Sequence, residues 1–265
     1  MSTRRWDALI WLGRGYLALV YVFLLGPLAF IVAASFNRAT SFPAGFEGLT
    51  LGWFRSILDH DEFISSAWTS TMVAALAALI AMVVSFFAAY AMARSRSGES
   101  ATITTILSVP LLVPQIVMSL AILEFASWLG VGTTLTGLVA VHAVYVMPFA
   151  LRLIMTGLAR FDFVLEEAAA SLGASGVATW RKVTLPIIRP SLVAGFTFCF
   201  VLSFVNLPLS LFITDARTTT LPIVMFSYIE SRIDPMIAAV STVIVLLAAG
   251  TTLLLEWVLK IRLVD

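Results

Sequence analysis

Long apolar stretches separated by short polar segments account for most of the chain. They run at about residues 16–34, 67–92, 102–125, 135–158, 192–213 and 236–259, each close to the roughly 20 residues that carry an α-helix across a hydrocarbon core. The pattern predicts an all-α polytopic membrane protein with six transmembrane helices, forming a single domain over residues 1–265. Pro27, Pro110, Pro114, Pro148 and Pro208 fall inside these stretches, where a missing backbone donor bends or interrupts a helix. The first stretch is longer than the ~7–15 apolar residues of a removable signal. It reads as a retained span, with Trp6, Trp11 and Tyr16 at the membrane interface.

The polar segments are unequal. Residues 36–65, with Asp59, Asp61 and Glu62, read as a folded loop, Arg94 to Glu99 as a charged turn, and 215–235 as a loop rich in threonine and aromatic residues. The largest departure is Glu166 to Pro190, EEAAASLGASGVATWRKVTLPIIRP. Its composition predicts a short helix, a bend loosened by Gly173 and Gly176, a second short helix and a stop at Pro186.

Composition narrows the function classes. Hydrophobic residues make up 60% of the 265 and charged residues 12%, against about 25% charged in a soluble domain. A net charge of +1 with no basic cluster argues against a nucleic-acid partner. Cys199, the only cysteine, lies in an apolar run and suits packing; it cannot form an intramolecular disulfide, a redox pair or a zinc cluster. No cofactor or metal is expected. Of the sixteen basic residues, twelve fall on the N-terminal side of the six-span arrangement and only Arg38, Arg55, Arg217 and Arg232 on the other. The positive-inside rule therefore puts both termini and the polar island in the cytoplasm.

Within the island, Glu167-Ala168-Ala169 is followed after three residues by Gly173, and after nine more by Val183, Leu185 and Pro186. This spacing resembles the signature of ABC importer permeases of the binding-protein-dependent, MetI-like class, with Val183 where isoleucine is usual. Ser35-Phe36-Asn37, Pro110 to Pro114, Phe161-Asp162 and Thr218 to Pro222 are similar to the second permease subunit of spermidine/putrescine-type importers. The resemblance implies a multi-pass protein of the bacterial inner membrane that is not itself an enzyme. It would pass a small polar, polyamine-like solute from a periplasmic binding protein to the cytoplasm. Its implied partners are a second, unlike permease subunit, two copies of an ATP-binding subunit and the binding protein.

The resemblance implies that residues 160–190 form a loop that couples to the ATPase through Glu167, Ala168, Ala169, Gly173, Val183, Leu185 and Pro186. Glu167 would be favoured by the helix N-terminus and by its free amides. Gly173 would permit the bend, and Pro186 would end the second helix and set its angle to the fifth span. The chain cannot bind ATP through a GK[ST] loop, because Lys182 and Lys260 are its only lysines and neither follows a glycine.

Two other classes compete. Gly173-Ala174-Ser175-Gly176 matches the GxSG of intramembrane serine proteases, but such a serine needs a histidine on a later span, and His60 and His142 both precede it. An ion-coupled transporter or a channel would place polar residues within broken helices. Glu124, His142, Ser203, Phe204 and Asn206 are the candidates for a solute pathway, with Phe149 and Phe198 as possible lining. His142 reads equally as a hydrogen-bonded packing residue. Where the polyamine branch commonly carries acids, this chain has Ser203-Phe204-Val205-Asn206. Asn206 hydrogen-bonds a solute without neutralising an ammonium group, which keeps amino-acid or opine-like substrates open. On the outer side, Phe42-Pro43, Trp53, Phe54, Glu230 and Arg232 either contact the binding protein or cap helix ends.

Overall fold

The computed structural model describes residues 3–40, 45–94, 99–130, 133–215, 218–232 and 234–259. Phe42-Pro43, Arg217, Lys260, Arg262 and most of the turn after Arg94 lie outside the described residues. Regular structure among the described residues is helical, apart from an isolated bridge between Asn37 and Leu49. The helices are α1 (Thr3–Ser35), α2 (Gly52–Leu58), α3 (Asp61–Arg94), α4 (Glu99–Ser108), α5 (Gln115–Trp128), α6 (Leu135–Leu158) and α7 (Val164–Ser171). There follow α8 (Gly176–Thr179), α9 (Leu185–Phe204), α10 (Leu207–Ser210), α11 (Leu221–Ser231) and α12 (Met236–Leu259).

Among the described residues four helical stretches are long and apolar enough to cross a membrane: Ile10–Ser35, Asp61–Arg94, Leu135–Leu158 and Gly176–Phe204. A further stretch, expected as one interrupted span, is two helices that meet at 104°. A 3₁₀ turn at Val109–Leu112 and extended backbone at Val113 and Pro114 separate α4 from α5, because Pro110 and Pro114 supply no amide to carry the ladder through. The loop expected at 215–235 contains the 11-residue helix α11. Its apolar run opens on Leu221-Pro222, where proline in the first turn is tolerated because that amide would be unpaired anyway.

The chain divides into two compact units, Met1–Asp61 with Ser227–Ala249, and Glu62–Phe226 with Gly250–Asp265. In the first, α1 is continuous through Pro27 and exposes apolar side chains such as Phe23 and Val22 along most of residues 10–31. Asn37 organises the loop beyond it. Its side-chain amide donates to the Gly45 carbonyl, its side-chain oxygen accepts from the amides of Ala39 and Glu47, and its backbone carbonyl accepts from the Trp53 indole at 2.8 Å. Phe36 packs on Phe54 with ring centroids 5.2 Å apart. At the other end of this unit the Tyr228 hydroxyl donates to Asp234, whose second oxygen accepts the Met236 amide and so starts α12. Burial, and then the bond to Asp234, push the Tyr228 hydroxyl above the ordinary tyrosine range.

The second unit is built on α3, α6 and α9. The buried face of α3 carries a row of small residues at helical spacing, Ser70, Ala74, Ala77, Ala78, Ala81, Ser85 and Ala89, with Val73, Met82 and Phe86 beside it. Such stripes let helix backbones approach in a membrane, where packing rather than water exclusion drives association. Ser85 donates to the Met147 carbonyl of α6 at 3.1 Å, and Cys199 of α9 points its thiol at the Val146 carbonyl. Gly157 of α6 faces α9 so closely that a Cβ there would sit 2.7 Å from the Ser191 side chain. Gly195 of α9 leaves similar room for Met82 of α3.

The second short helix does not stop at Pro186, as the composition suggested. α8 runs through a π turn, Trp180–Thr184, directly into α9, giving one helix over Gly176–Phe204. The Leu185 amide donates to the Trp180 carbonyl, five residues back. This wider turn takes up the register just before Pro186, whose ring would otherwise meet the ladder of the preceding turn.

Candidate functional site

Two constellations bring together the residues singled out by the sequence, both in the second unit. The first is the polar island. Asp162 accepts the Val164 amide at 3.0 Å and opens α7. Its end is a complete left-handed cap: the Gly173 amide donates to the Ala170 carbonyl at 2.9 Å and the Ala174 amide to Ala169 at 3.1 Å. Gly173 adopts φ +86°, a conformation in which glycine carries no steric cost. Ser175 then caps α8, accepting the Ala178 amide at 3.3 Å. That structural task, not nucleophilic chemistry, occupies the serine of the GxSG stretch.

The sequence marks Glu167, but the structure buries its neighbour. Glu167 is exposed and makes no side-chain hydrogen bond or ion pair among the described residues, so the amide-capping role expected of it belongs to Asp162. Glu166 is 5% exposed and is the only buried residue of α7. Its carboxylate accepts from the Tyr90 hydroxyl of α3 at 2.6 Å on one oxygen, and from the Thr184 hydroxyl of the π turn on the other. Arg94 of α3 lies 3.6 Å from the first oxygen and donates to the Tyr90 hydroxyl at 3.1 Å. Half of the arginine side chain is exposed, so the ion pair is screened and adds little.

Aromatic rings close the site. Trp180 meets Tyr90 edge-on at 5.1 Å, and the Arg94 guanidinium lies 5.8 Å from the centre of the Phe163 ring. The sequence carried one signal for Glu166: it lies three residues after Phe163, on the face of α7 that turns inward.

The remaining coupling candidates divide by face. Val183 and Leu185 pack against the core, Ala169 is half-buried, and Ala168, Gly173 and Pro186 are exposed. Outward-facing apolar side chains accompany them: Leu172 is 90% and Val177 73% exposed, with Val164 and Leu165 also in the open. Glu167, Arg181 and Lys182 are exposed along the same segment. Apolar side chains displayed among charged ones, on a rigid helical hairpin, suit a protein partner.

The second constellation surrounds His142, which is 1% exposed in the N-terminal half of α6. Its Nδ1 lies 2.8 Å from the Ser203 hydroxyl and its Nε2 3.1 Å from that of Ser210. Ser210 donates its proton to the Asn206 carbonyl, so it accepts from Nε2–H, and Nδ1 accepts from Ser203. The ring thus holds both sides of a helix break, since α9 ends at Phe204 and Asn206 caps α10 by accepting the Leu209 amide at 3.0 Å.

The other break reaches the same place. Ser119 of α5 donates to the Pro208 carbonyl at 3.0 Å, and Gln115, at the start of α5, bonds the Tyr145 hydroxyl of α6. Gln115, Ser119, Tyr145 and Ser210 were missed by the sequence reading. Gln115 and Ser119, like Asn206 and Ser210, are four apart on one helical face, a spacing that could have flagged them.

Of the other pathway candidates, Ser203 and Asn206 join His142, whereas Glu124 and Phe204 do not. Glu124 is exposed on α5, and Phe204 stacks on Phe200 at 5.8 Å. In the first unit, Trp53 and Phe54 are half-buried by their internal partners. Glu230 and Arg232 are exposed, the latter lying over the Tyr228 ring.

Residues 81–261 match the family model described as "Binding-protein-dependent transport system inner membrane component". The chain is 26% identical to the spermidine/putrescine transport system permease protein PotC of Haemophilus influenzae, covering 94% of this chain and 96% of that protein. It is 29% identical to the putrescine transport system permease protein PotI of Escherichia coli, over 93% of this chain and 89% of the relative. It is equally, 29%, identical to a putative 2-aminoethylphosphonate transport system permease protein, PhnV, of Salmonella paratyphi A, over 95% and 98% of the two chains. Among solved structures, a chain of a bacterial ABC transporter involved in the import of the acidic polysaccharide alginate superimposes with a TM-score of 0.72. The overlay covers 100% of this chain and 99% of that one at 14% identity, a likeness of fold alone.

Proposed function

The chain belongs to the family of binding-protein-dependent transport system inner membrane components, the MetI-like permeases of ABC importers, and on that premise we propose how it is assembled and what it carries. It is one permease subunit of an ATP-driven importer, paired with a second, unlike permease, two copies of an ATP-binding subunit and a periplasmic solute-binding protein. Six crossings follow if the bent α4–α5 pair counts as one span and α12 as the last. Both termini and the hairpin of α7 and α8 then face the cytoplasm, an orientation supported by the excess of basic residues on that side.

The observation that carries the reading is the hairpin itself. It is rigidly capped at Gly173 and Ser175, it exposes Leu172 and Val177, and it is continuous through the π turn with the membrane helix α9. A soluble ATPase that engages Glu167, Leu172 and Val177 would move α9 as a lever.

The relatives' solutes, spermidine, putrescine and 2-aminoethylphosphonate, share a primary amine, and a small amine-bearing, polyamine-like compound is the cargo proposed here. A solute with one amine and an anionic group is the second reading. It is favoured by the cluster at the two helix breaks, which is neutral: His142, Ser203, Asn206, Ser210, Gln115 and Ser119 include no carboxylate.

The test is uptake into proteoliposomes holding the assembled complex, with labelled putrescine, spermidine and 2-aminoethylphosphonate. Uptake is expected to need both ATP and the loaded binding protein. Accumulation driven by an ion gradient without ATP would overturn the proposal.

A further inference from the structure

α7 presents almost everything it has to the outside. Val164, Leu165, Glu167, Ala168, Ala170 and Ser171 are exposed, and its one buried side chain is the carboxylate of Glu166. Apart from the covalent route through α8 into α9, a force applied to the outer face of α7 therefore reaches the rest of the unit by way of Glu166 and the flanking Phe161 and Phe163. Hydrogen bonds to a buried charge are short and directional, and stiffer against lateral displacement than apolar contacts of the same area.

The carboxylate is bonded to one element on each side. Tyr90, with Arg94 behind it, belongs to the last turns of α3, and Thr184 to the π turn that opens into α9. That turn is the irregular segment of the Gly176–Phe204 helix, and wide turns of this kind mark places where a helix changes register. Trp180, one helical turn before Thr184, packs against Tyr90, Phe86 and Phe87 of α3. The same π turn is thus gripped from two sides, by the carboxylate and by the aromatic rings.

We propose that Glu166 is the positioning residue that ties movement of the α7 hairpin to α3 and α9, so that ATPase closure and membrane-helix movement are one event. Glu167, beside it in the sequence, faces the partner and has no such inward connection. This rests on the importer reading and goes beyond it: that reading says a partner docks on the hairpin, whereas this assigns the internal link that carries the motion onward.

The experiment uses the whole complex, reconstituted with its binding protein, and compares native, Glu166→Gln, Tyr90→Phe and Thr184→Val permeases. Four quantities are measured: co-purification of the ATP-binding subunit, basal ATP hydrolysis, its stimulation by solute-loaded binding protein, and solute imported per ATP hydrolysed. ATP- and binding-protein-dependent uptake by the native complex tests the importer reading by itself, so its absence is distinguishable from failure of the Glu166 assignment.

Glu166→Gln keeps the shape and one acceptor oxygen but loses the charge that Tyr90 and Arg94 address. The expected result is normal co-purification and basal hydrolysis, stimulation by the binding protein lost, and solute per ATP lowered about tenfold, the scale of one hydrogen bond to a charged group. Tyr90→Phe and Thr184→Val each remove one bond and leave the charge, and each is expected to lower the same ratio with assembly intact. If Glu166→Gln fails to assemble, these two variants decide the matter. Native stimulation and native solute per ATP in assembled variants would overturn the assignment. Loss of co-purification in all three would overturn it as well, since Glu166 would then only hold the docking surface in shape.

Discussion

Two adjacent glutamates illustrate how little residue type alone decides. Glu166 and Glu167 are both in the first turn of α7, and both gain from the positive end of the helix. One position of helical phase separates a buried carboxylate with partners on two other elements from an exposed one with none among the described residues. Glu167→Lys is therefore expected to leave membrane insertion and thermal unfolding close to native while abolishing uptake and association of the ATP-binding subunit. Pull-down of that subunit checks it, and normal recovery would remove Glu167 from the docking surface. Gly173→Asp should have the same consequence by a different route. At φ +86° any side chain costs on the order of 1 kcal/mol, and Asp also sets a charge where the partner meets Leu172, so insertion survives and association is lost.

Helix packing in the second unit depends on missing side-chain volume. Gly157 and Ser191 bring α6 and α9 together more closely than any β-carbon at 157 allows. Gly157→Ala is expected to destabilise the protein by about 1–3 kcal/mol, the usual cost of overpacking, read as a lower unfolding temperature in detergent. Adding Ser191→Gly should recover part of the loss. Gly26→Ala in α1, where nothing lies within 4 Å, should cause no drop. An equal drop in the two glycine variants would mean that the α6–α9 approach is not what Gly157 protects, since alanine is the better helix former at both sites. Proline also acts differently at different sites. Pro110 and Pro114 part α4 from α5 at 104°, Pro27 and Pro148 are carried inside continuous helices, and Pro186 is accommodated by a π turn. All five residues lack the same donor; neighbouring turns determine whether the ladder closes around the gap.

For the molecule as a transporter, the neutral cluster at the two helix breaks bears on what it passes. Asn206→Asp is an informative change because aspartate caps α10 as well as asparagine does, so the fold is kept while a negative charge enters beside His142. If the cluster lies on the solute path, uptake of spermidine relative to 2-aminoethylphosphonate should rise several-fold in the reconstituted complex. An unchanged ratio would make the cluster a structural knot only.

The amino-acid pattern by itself determined that the chain is helical and embedded in a membrane, because a run of about 20 apolar residues has no other low-energy state there. It also determined the family, since the spacing from Glu167 through Gly173 to Pro186 encodes a helix, its left-handed cap and the helix beyond, all of them local features. Glu166 and the His142 cluster were not legible in that way. Tyr90, Glu166 and Thr184 come from separate elements, as do Gln115, His142, Ser203 and Ser210. Only the packing of α5, α7 and α10 onto α3, α6 and α9 brings those polar groups within bonding distance, and burial then turns ordinary serines, a tyrosine and a glutamate into groups that must be paired. A local pattern fixes which way a residue points on its own helix; what it meets there is decided by the tertiary structure.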